Sequence, residues 1–267
     1  MLMLAPALQA FHQPKWELGL GLGALSTPIY RGSETRTEYL IPFPYVIYRG
    51  DIFRVDRESG ISGKLFSSDN VRLDLSLAGS LPVRDSDSGA REDMDELDPL
   101  VELGPKLSID LWRSPDRDQR FGFDIPLRMV LSLGDPLVQD QGWTLSPFFN
   151  YRLWQEQGGA LNRYSLSAGP IFANRRYHNY FYQVESKFVT PDREAYDPPS
   201  GYSGSRVTLS ATRNYKQFLF GAFARYDNLN GAAFEDSPLV ETRGYFVVGV
   251  AFGWILGTSD TMVEHQP

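Results

Sequence analysis

Full charges recur in the middle of segments in which apolar and polar residues alternate. In residues 121–133, Asp124 and Arg128 stand in the polar series, while Phe, Ile, Leu and Met fill the other series. Oppositely charged side chains can pair inside a small, polar barrel, whereas in a dry core they would be very costly. The pattern predicts an inner face lined by charges, and a soluble sheet with one solvated face is the alternative. The residues predicted to line the interior are Arg72, Asp74, Asp110, Asp124, Arg128, Arg152, Arg163, Arg206 and Arg225.

Catalytic chemistry has little support in the residue types. The chain has three histidines, and His12 and His265 lie in the predicted tails. His178, in the segment NRRYHNY, has no nucleophile motif beside it, and acid–base or nucleophilic catalysis needs such a partner within hydrogen-bond reach. We therefore predict a solvated or interfacial histidine, no enzymatic activity and no cofactor. There is no cysteine, which excludes disulfides and thiol-ligated metals.

Composition points to strands and turns. Aromatic residues make up 13% of the chain, with 24 glycines and 18 prolines. A net charge of −7 argues against nucleic acid as a partner, because no basic stripe is present to neutralise phosphates. No apolar run approaches the roughly 18 residues of a membrane helix. If the chain crosses a membrane, it must do so as a closed barrel, since only that alternative satisfies the backbone internally.

Strand length favours the membrane barrel. Alternation persists over the whole of residues 121–133, close to the ~9–11 residues of a tilted membrane strand and longer than the ~5–6 residues common in soluble sheets. Each strand with its connection takes about 22 residues, a spacing typical of membrane barrels. The prediction is an all-β, transmembrane, antiparallel up-and-down β-barrel of about 12 strands, in which 177–184 is a weaker strand. Aromatics at strand ends fit interfacial girdles, namely Trp16, Tyr39, Tyr48, Trp112, Trp143, Trp154 and Trp254.

Residues 39–51, YLIPFPYVIYRGD, form the most aromatic predicted strand. We expect Tyr39, Phe43 and Tyr45 to face lipid. Pro42 and Pro44 would then face the lumen and distort the pairing, because each lacks a ladder donor. The triplet Arg49-Gly50-Asp51 is typical of a hairpin turn, and an adhesive role is the alternative. The next strand is expected over 52–66, with a bulge or bend at its glycines.

Four segments resemble the MipA/OmpV family of outer-membrane proteins. They are the Gly-alternating first strand with the loop PIYRGS, the segment PFPYVIYRGDIF, the segment AREDMDELDPLVELGPK and the aromatic closing strand. The resemblance implies a Gram-negative outer-membrane barrel in contact with outer-membrane lipid. For the family's namesake it implies a scaffold that joins a lytic transglycosylase to a peptidoglycan synthase. Other members are linked to adhesion, immune recognition and antibiotic uptake.

The acidic run 85–98 is the candidate partner contact. If the N-terminus is periplasmic and each strand crosses once, this run is a periplasmic connection, where bacterial barrels normally keep turns short. A basic periplasmic enzyme could dock there by charge complementarity. A solvated loop without a partner and a Ca²⁺ site are the alternatives. The residues predicted to bind a partner are Arg91, Glu92, Asp93, Asp95, Glu96 and Asp98.

Three functions are left open by the sequence. The first is a scaffold for periplasmic peptidoglycan-remodelling enzymes. The second is a narrow channel for small solutes or antibiotics, lined by the inward charges. The third is a surface adhesin that uses loops 26–37, 187–202 and 227–243. The expected organisation is a signal-peptide remnant or disordered N-terminus over 1–14, a barrel over 15–256 and a C-terminal tail over 257–267.

Overall fold

The computed structural model describes residues 11–56, 60–80 and 89–265 as a β structure with one α-helix. The predicted leader at 1–10 lies outside the described residues. The strands are β1 (Phe11–Pro14), β2 (Trp16–Pro28), β3 (Arg36–Arg49), β4 (Phe53–Asp56), β5 (Gly60–Ser67), β6 (Val71–Ser80), β7 (Leu100–Arg113), β8 (Gln119–Ser132), β9 (Gln139–Leu145), β10 (Phe148–Gln157), β11 (Ala160–Ala173), β12 (Gly201–Tyr215), β13 (Phe218–Asn228), β14 (Gly244–Thr258) and β15 (Met262–His265). The helix is α1 (Arg175–Tyr182), where the sequence suggested a weak strand.

Antiparallel pairing closes the sheet into a barrel. From β2 to β14 each strand pairs with the next, except β9 with β10, and β14 then pairs back with β2, from Val248↔Ser26 to Thr258↔Glu17. β9 and β10 both pair with β8 and with β11, so they are two halves of one crossing. The wall therefore has twelve crossing strands, which confirms the predicted fold class. In the described ranges no helix is long and apolar enough to cross a membrane.

The two ends of the barrel differ. β1 pairs with β15 beside the start of β2, and the connections 114–118, 158–159 and 216–217 lie at that same end, which we call the terminal end. The longer connections 174–200 and 229–243 lie at the other end, which we call the loop end. The last barrel strand continues to Thr258, and residues 262–265 pair with 11–14, so both predicted tails contain paired strand.

Alternation separates an outward apolar face from an inward polar face. On β8 the exposed side chains include Leu127 and Met129, whereas Asp124 and Val130 are buried. The tryptophans Trp16, Trp112, Trp143 and Trp254 are exposed on the outside, as girdle residues are. Trp154 is buried instead, on the same face as the inward Arg152, so its predicted place in the girdle is wrong.

The predicted single strand over 52–66 is wrong. This segment forms two strands, β4 and β5, which pair with each other from Phe53↔Gly63 to Asp56↔Gly60. Gly60 has φ 64°, a left-handed conformation that favours a turn and that glycine adopts without strain. The extra strand reverses the predicted direction of the strands that follow as far as β11, and α1, which replaces the predicted strand at 177–184, restores it from β12 onwards. The connection after β6, of which 89–99 are described, therefore lies at the loop end.

The predicted orientation of β3 is also wrong. Tyr45 and Ile47 are buried inside the barrel, while Leu40 is 70% exposed and Pro42 and Pro44 share its outward face. The reason lies on the neighbouring strand β2, whose inward positions are glycines. The Phe43 ring lies 2.3 Å from where a Cβ of Gly21 would stand, so the aromatic rings fill the space that the glycines leave.

The two prolines stand on an edge of β3 that has little pairing. The register between β2 and β3 is unbroken from Trp16↔Tyr48 to Pro28↔Arg36, so the pairing on that edge is not distorted. The N–H of Arg49 donates to the Lys15 carbonyl at 2.8 Å, so odd-numbered residues bond towards β2 and the proline nitrogens face away from it. On that other edge only Tyr48 and Arg49 pair with a strand, β4, among the described residues. The N–H donors that Pro42 and Pro44 lack would thus have faced an edge where no strand of the described residues offers an acceptor.

A cap of loops and α1 covers the loop end. Tyr177 packs against Leu100, Val130 and Ala173 inside the mouth of the barrel. The helix begins at Asn174, whose side chain accepts a hydrogen bond from the Tyr177 N–H at 3.2 Å. Helix α1 therefore lies across the mouth and fills part of it.

Hydroxyl groups fasten the cap to backbone carbonyls of other segments. The Tyr30 hydroxyl donates to the Leu239 carbonyl at 2.8 Å, and Tyr182 donates to the Arg31 carbonyl at 2.9 Å. Tyr182 also stacks on Phe234, with ring centroids 3.7 Å apart. Such bonds satisfy loop carbonyls that no strand reaches, which is how a non-repetitive layer becomes ordered.

His178 is part of this cap, and its predicted solvation is wrong. It is fully buried, its Nδ1 lies 2.6 Å from the Pro199 carbonyl oxygen, and its Nε2 contacts the Ser203 hydroxyl. The carbonyl can only accept, so Nδ1 carries the proton and Nε2 accepts from Ser203. Burial lowers the pKa of His178, so the neutral imidazole is the form that fits the cap.

Acidification is expected to loosen the cap through His178. Because the folded-state pKa lies below the ordinary value of about 6.5, the stabilisation is complete above that pH and is lost as the pH falls through the folded-state pKa. Amide hydrogen exchange in α1, corrected for intrinsic rates, should accelerate between about pH 7 and about pH 5. His178→Gln, which cannot titrate, should be loosened at both pH values and show no such pH step. An equal step in that variant would contradict the assignment.

Candidate functional site

The candidate site is the charged inner wall of the barrel. All nine residues predicted to line the interior lie on strand faces turned away from the exposed apolar side chains. The structure adds further ionisable groups to that wall. They are Glu17, Arg49, Glu102, Lys106, Arg120 and Asp227, with Arg31 in the loop above them.

Asp110 organises the terminal end of the wall. It accepts hydrogen bonds from Arg113 on its own strand and from Arg120 on β8. Strict alternation would turn Arg113 to the opposite face from Asp110. A β-bulge between Asp110 and Trp112 shifts the register and brings both side chains to the same face. The sequence pattern missed Arg113 because the bulge breaks the period, and it missed Arg120 because that residue precedes the apolar alternation that starts at Phe121.

The middle of the wall is a group of neighbouring charges. Asp124 accepts a hydrogen bond from Asn150 at 2.8 Å and lies 3.8 Å from the Arg152 guanidinium. Arg72 donates to Asp74 at 2.8 Å on the same strand. Lys106 is buried, and its register partner on β6 is Asp74. Opposite charges thus lie on the same strand or on adjacent strands, where the short distance between them makes the Coulomb attraction strong.

Above this group, Arg128 lies 3.8 Å from Glu102 and donates to the Ser76 hydroxyl at 3.2 Å. These pairs join β6, β7 and β8 at one height. Glu102 could have been found from the sequence, because it precedes Lys106 by two inward positions on β7. Arg163 faces inward on β11 opposite Thr212 of β12.

Under the cap, one carboxylate is surrounded by three guanidinium groups. The Asp227 side chain has no exposed area, and its Oδ1 lies 2.9 Å from Arg206 and 3.5 Å from Arg31. Its other oxygen lies 2.7 Å from Arg225. We call these four residues the Asp227 cluster. Arg225 and Asp227 are two positions apart on β13, so alternation could have extended the inward series to Asp227. Arg31 comes from a loop and had no such signal.

At the terminal end, Arg49 belongs to the wall and not to an exposed adhesive turn. Its guanidinium donates to the Pro14 carbonyl and to the Glu17 carboxylate, both at 2.6 Å. Glu17 also accepts from the Tyr45 hydroxyl at 2.8 Å. The side chain of Arg49 is 14% exposed, which leaves little of it for a partner.

The described part of the acidic run, residues 89–98, lies in the cap at the loop end, so its predicted place beside the termini is wrong. Arg91 is buried and donates to the Phe181 and Asp95 carbonyls, both at 3.0 Å. Arg193 donates to the carbonyls of Ala90 and Glu92 at 3.0 and 2.9 Å. The other predicted partner-binding residues, Glu92, Asp93, Asp95, Glu96 and Asp98, follow in the same segment. In residues 89–98 and the rest of the described chain, no three carboxylate or imidazole groups are placed to hold a metal ion.

Two solved structures are similar to this barrel at low identity. CymD, described as a monoaromatic hydrocarbon channel, is 9% identical with a TM-score of 0.33, and the match covers 96% of this chain and 90% of that chain. TbuX, the toluene transporter of Ralstonia pickettii, is 8% identical with a TM-score of 0.27, covering 94% and 71%. At such low identities and TM-scores, these two structures are not evidence for the activity of this chain. A search of curated proteins finds no match.

The sequence model of a family described as MltA-interacting protein MipA matches residues 20–256. That range runs from the Gly-alternating β2 into β14, and so includes nearly all of the barrel wall and the cap. It also includes most of the segments that carry the resemblance seen in the sequence, and it confirms that resemblance. The chain is therefore a member of the MipA family, with the fold of an outer-membrane β-barrel protein.

Proposed function

We propose that the protein is a narrow, capped channel in the outer membrane of a Gram-negative cell, with its terminal end in the periplasm. Bacterial barrels keep short turns on the periplasmic side and longer loops outside. The connections 158–159 and 216–217 at the terminal end, and 174–200 at the loop end, fit that orientation. The outward apolar face would then contact outer-membrane lipid.

The observation that carries this proposal is the continuity of charge along the inner wall. On β8 alone, Arg120, Asp124 and Arg128 face inward, and eight residues of strand span about 27 Å. At the strand tilt of about 35–45° usual in membrane barrels, this covers about 20 Å of the ~30 Å thickness of a bilayer core. Charges at this depth mark ion and solute pathways in membrane proteins, because they are too costly to bury without water or partners.

The cap supplies the restriction. Tyr177 projects from α1 between Leu100 and Val130 at the mouth, where side-chain volume limits the width of any passage. Small barrels can be filled by their own side chains, so a narrow passage with low conductance is the expected form. Movement of α1 would widen it.

No catalytic role is proposed. The described chain has one serine–histidine pair in contact, Ser203 with His178, and both side chains are fully buried. Nucleophilic catalysis needs a substrate carbonyl to reach the hydroxyl oxygen. The pair lies between α1 and the start of β12, under Phe234, where it stabilises the cap.

Removal of the Tyr177 side chain should enlarge the passage. In planar bilayers we expect the wild-type protein to give small single-channel steps and Tyr177→Ala to give larger ones, because the ring leaves the mouth. Tyr164→Ala is the matched control, since Tyr164 is 42% exposed on the outer face and its removal should leave the steps unchanged. Absence of steps in both the wild type and Tyr177→Ala would overturn the channel proposal.

A scaffold role is the second candidate, supported by the family description as an MltA-interacting protein. With the termini in the periplasm, a periplasmic lytic transglycosylase would meet the terminal end, including the two-stranded sheet of β1 and β15. Both strands of a two-stranded sheet have a free edge, and a partner can pair with such an edge. The acidic run would lie on the opposite side of the membrane.

Two variants test whether the partner binds at the terminal end or at the loop end. Truncation after Thr258 removes β15 and should reduce retention of a purified lytic transglycosylase on the immobilised protein. Neutralisation of the loop-end carboxylates at Asp93, Asp95, Glu96 and Asp98 should leave retention unchanged. Loss of retention in the neutralised variant, with full retention in the truncated one, would contradict contact at the terminal end.

A further inference from the structure

We propose that the Asp227 cluster is a binding site for small oxyanions, meaning compact solutes that carry a carboxylate or phosphate group. The inference deepens the proposed channel function by naming its solute class, and it rests on that function for its biological meaning. The site lies inside the barrel, beneath the cap.

Charge balance is the first argument. Arg31, Arg206 and Arg225 surround one carboxylate, and three cations less one anion leave an excess of two positive charges. The next ion pair along the wall, Arg128 with Glu102, has no net charge and so leaves this excess of positive charge unchanged. One arginine is enough to pair Asp227, and unpaired charge in a partly buried site is costly. An anion would remove that cost.

Exposure is the second argument, because it differs between the two signs of charge. The Asp227 side chain has no exposed area, whereas the side chains of Arg206 and Arg225 are 36% and 26% exposed. A solute in the lumen therefore meets guanidinium groups and does not meet the carboxylate. Asp227 holds the guanidinium groups in place, and the N–H groups that do not contact Asp227 point away from it.

An unused donor is the third argument. Tyr245 is the register partner of Asp227 on β14, its side chain is almost completely buried, and its hydroxyl has no hydrogen-bond partner among the described residues. Arg31 donates through one terminal nitrogen to the Ser203 carbonyl at 2.7 Å, while its Nε faces Asp227 at 3.5 Å. Buried polar groups are normally satisfied, so the Tyr245 hydroxyl indicates a missing acceptor. Planar guanidinium groups match the paired oxygens of carboxylate and phosphate.

The direct test is titration of the purified full-length protein in detergent with inorganic phosphate, at constant ionic strength in a chloride background. Phosphate should raise the unfolding temperature in a saturable manner, because a ligand that binds only the folded state stabilises it. Arg206→Gln and Arg225→Gln should each weaken phosphate binding about ten- to a hundredfold, the usual effect of losing one charged hydrogen bond. Arg176→Gln is the matched control, because Arg176 is an exposed residue of α1 that pairs with Asp140 and is not part of the inner wall, so its loss should leave binding unchanged.

Tyr245→Phe tests the site with little risk to folding, since only the unpartnered hydroxyl is removed, and it should weaken binding several-fold. No saturable shift in the wild-type protein would overturn the proposal, and so would equal affinity in Arg206→Gln, Arg225→Gln and the wild type. Bilayer recordings distinguish failure of the phosphate site from failure of the channel proposal. Phosphate binding without single-channel steps would leave the site standing and remove the channel, whereas steps without phosphate binding would do the reverse.

Discussion

Closure of the sheet is the constraint on which the rest of the structure depends. In a bilayer there is no water to bond to exposed backbone groups, so each N–H and C=O must find a partner in the protein. Pairing of β14 with β2 removes both sheet edges there. The loop-end parts of β3 and β6, on either side of the short β4–β5 hairpin, are exceptions among the described residues, and the prolines of β3 remove two N–H groups from its unpaired edge. Prolines would weaken a strand that is paired on both edges, and here they lie on an edge without a partner strand among the described residues.

Closure also gives every strand one face towards lipid and one towards the interior, and the interior is itself divided. Along the middle of β14, β2 and β3 it is apolar and tightly packed, with Phe43 and Tyr45 over the small inward residues of β2 and β14. From β7 to β10 it carries ion pairs between neighbouring strands. Strand register sets these pairs, because each partner is brought to the same height by the ladder. The Asp227 cluster lies on β12 and β13, where positive charge exceeds negative charge.

The fold could be predicted from the sequence wherever one face of a strand was clearly apolar and the other clearly charged, as on β8. Prediction failed where both faces were apolar. On β3, aromatic residues alternate with prolines and aliphatic residues, and only the glycines of the neighbouring β2 decide which series points inward. The division of 52–66 depended on one left-handed glycine. The cap could not be foreseen, because His178, Tyr182 and Arg91 are ordered by long-range bonds to backbone carbonyls that leave no local pattern.

The central claim is the assignment of inner and outer faces, which places the charges in the lumen and the prolines towards lipid. The most direct measurement is spin-label accessibility in liposomes, using single cysteines introduced into this cysteine-free chain. The account predicts that dissolved oxygen relaxes labels most strongly at Leu40, Val46, Leu127 and Met129, and much less at Ile41, Ile47, Gly122 and Arg128. Strong relaxation by oxygen at Ile41 and Ile47, with weak relaxation at Leu40 and Val46, would contradict it.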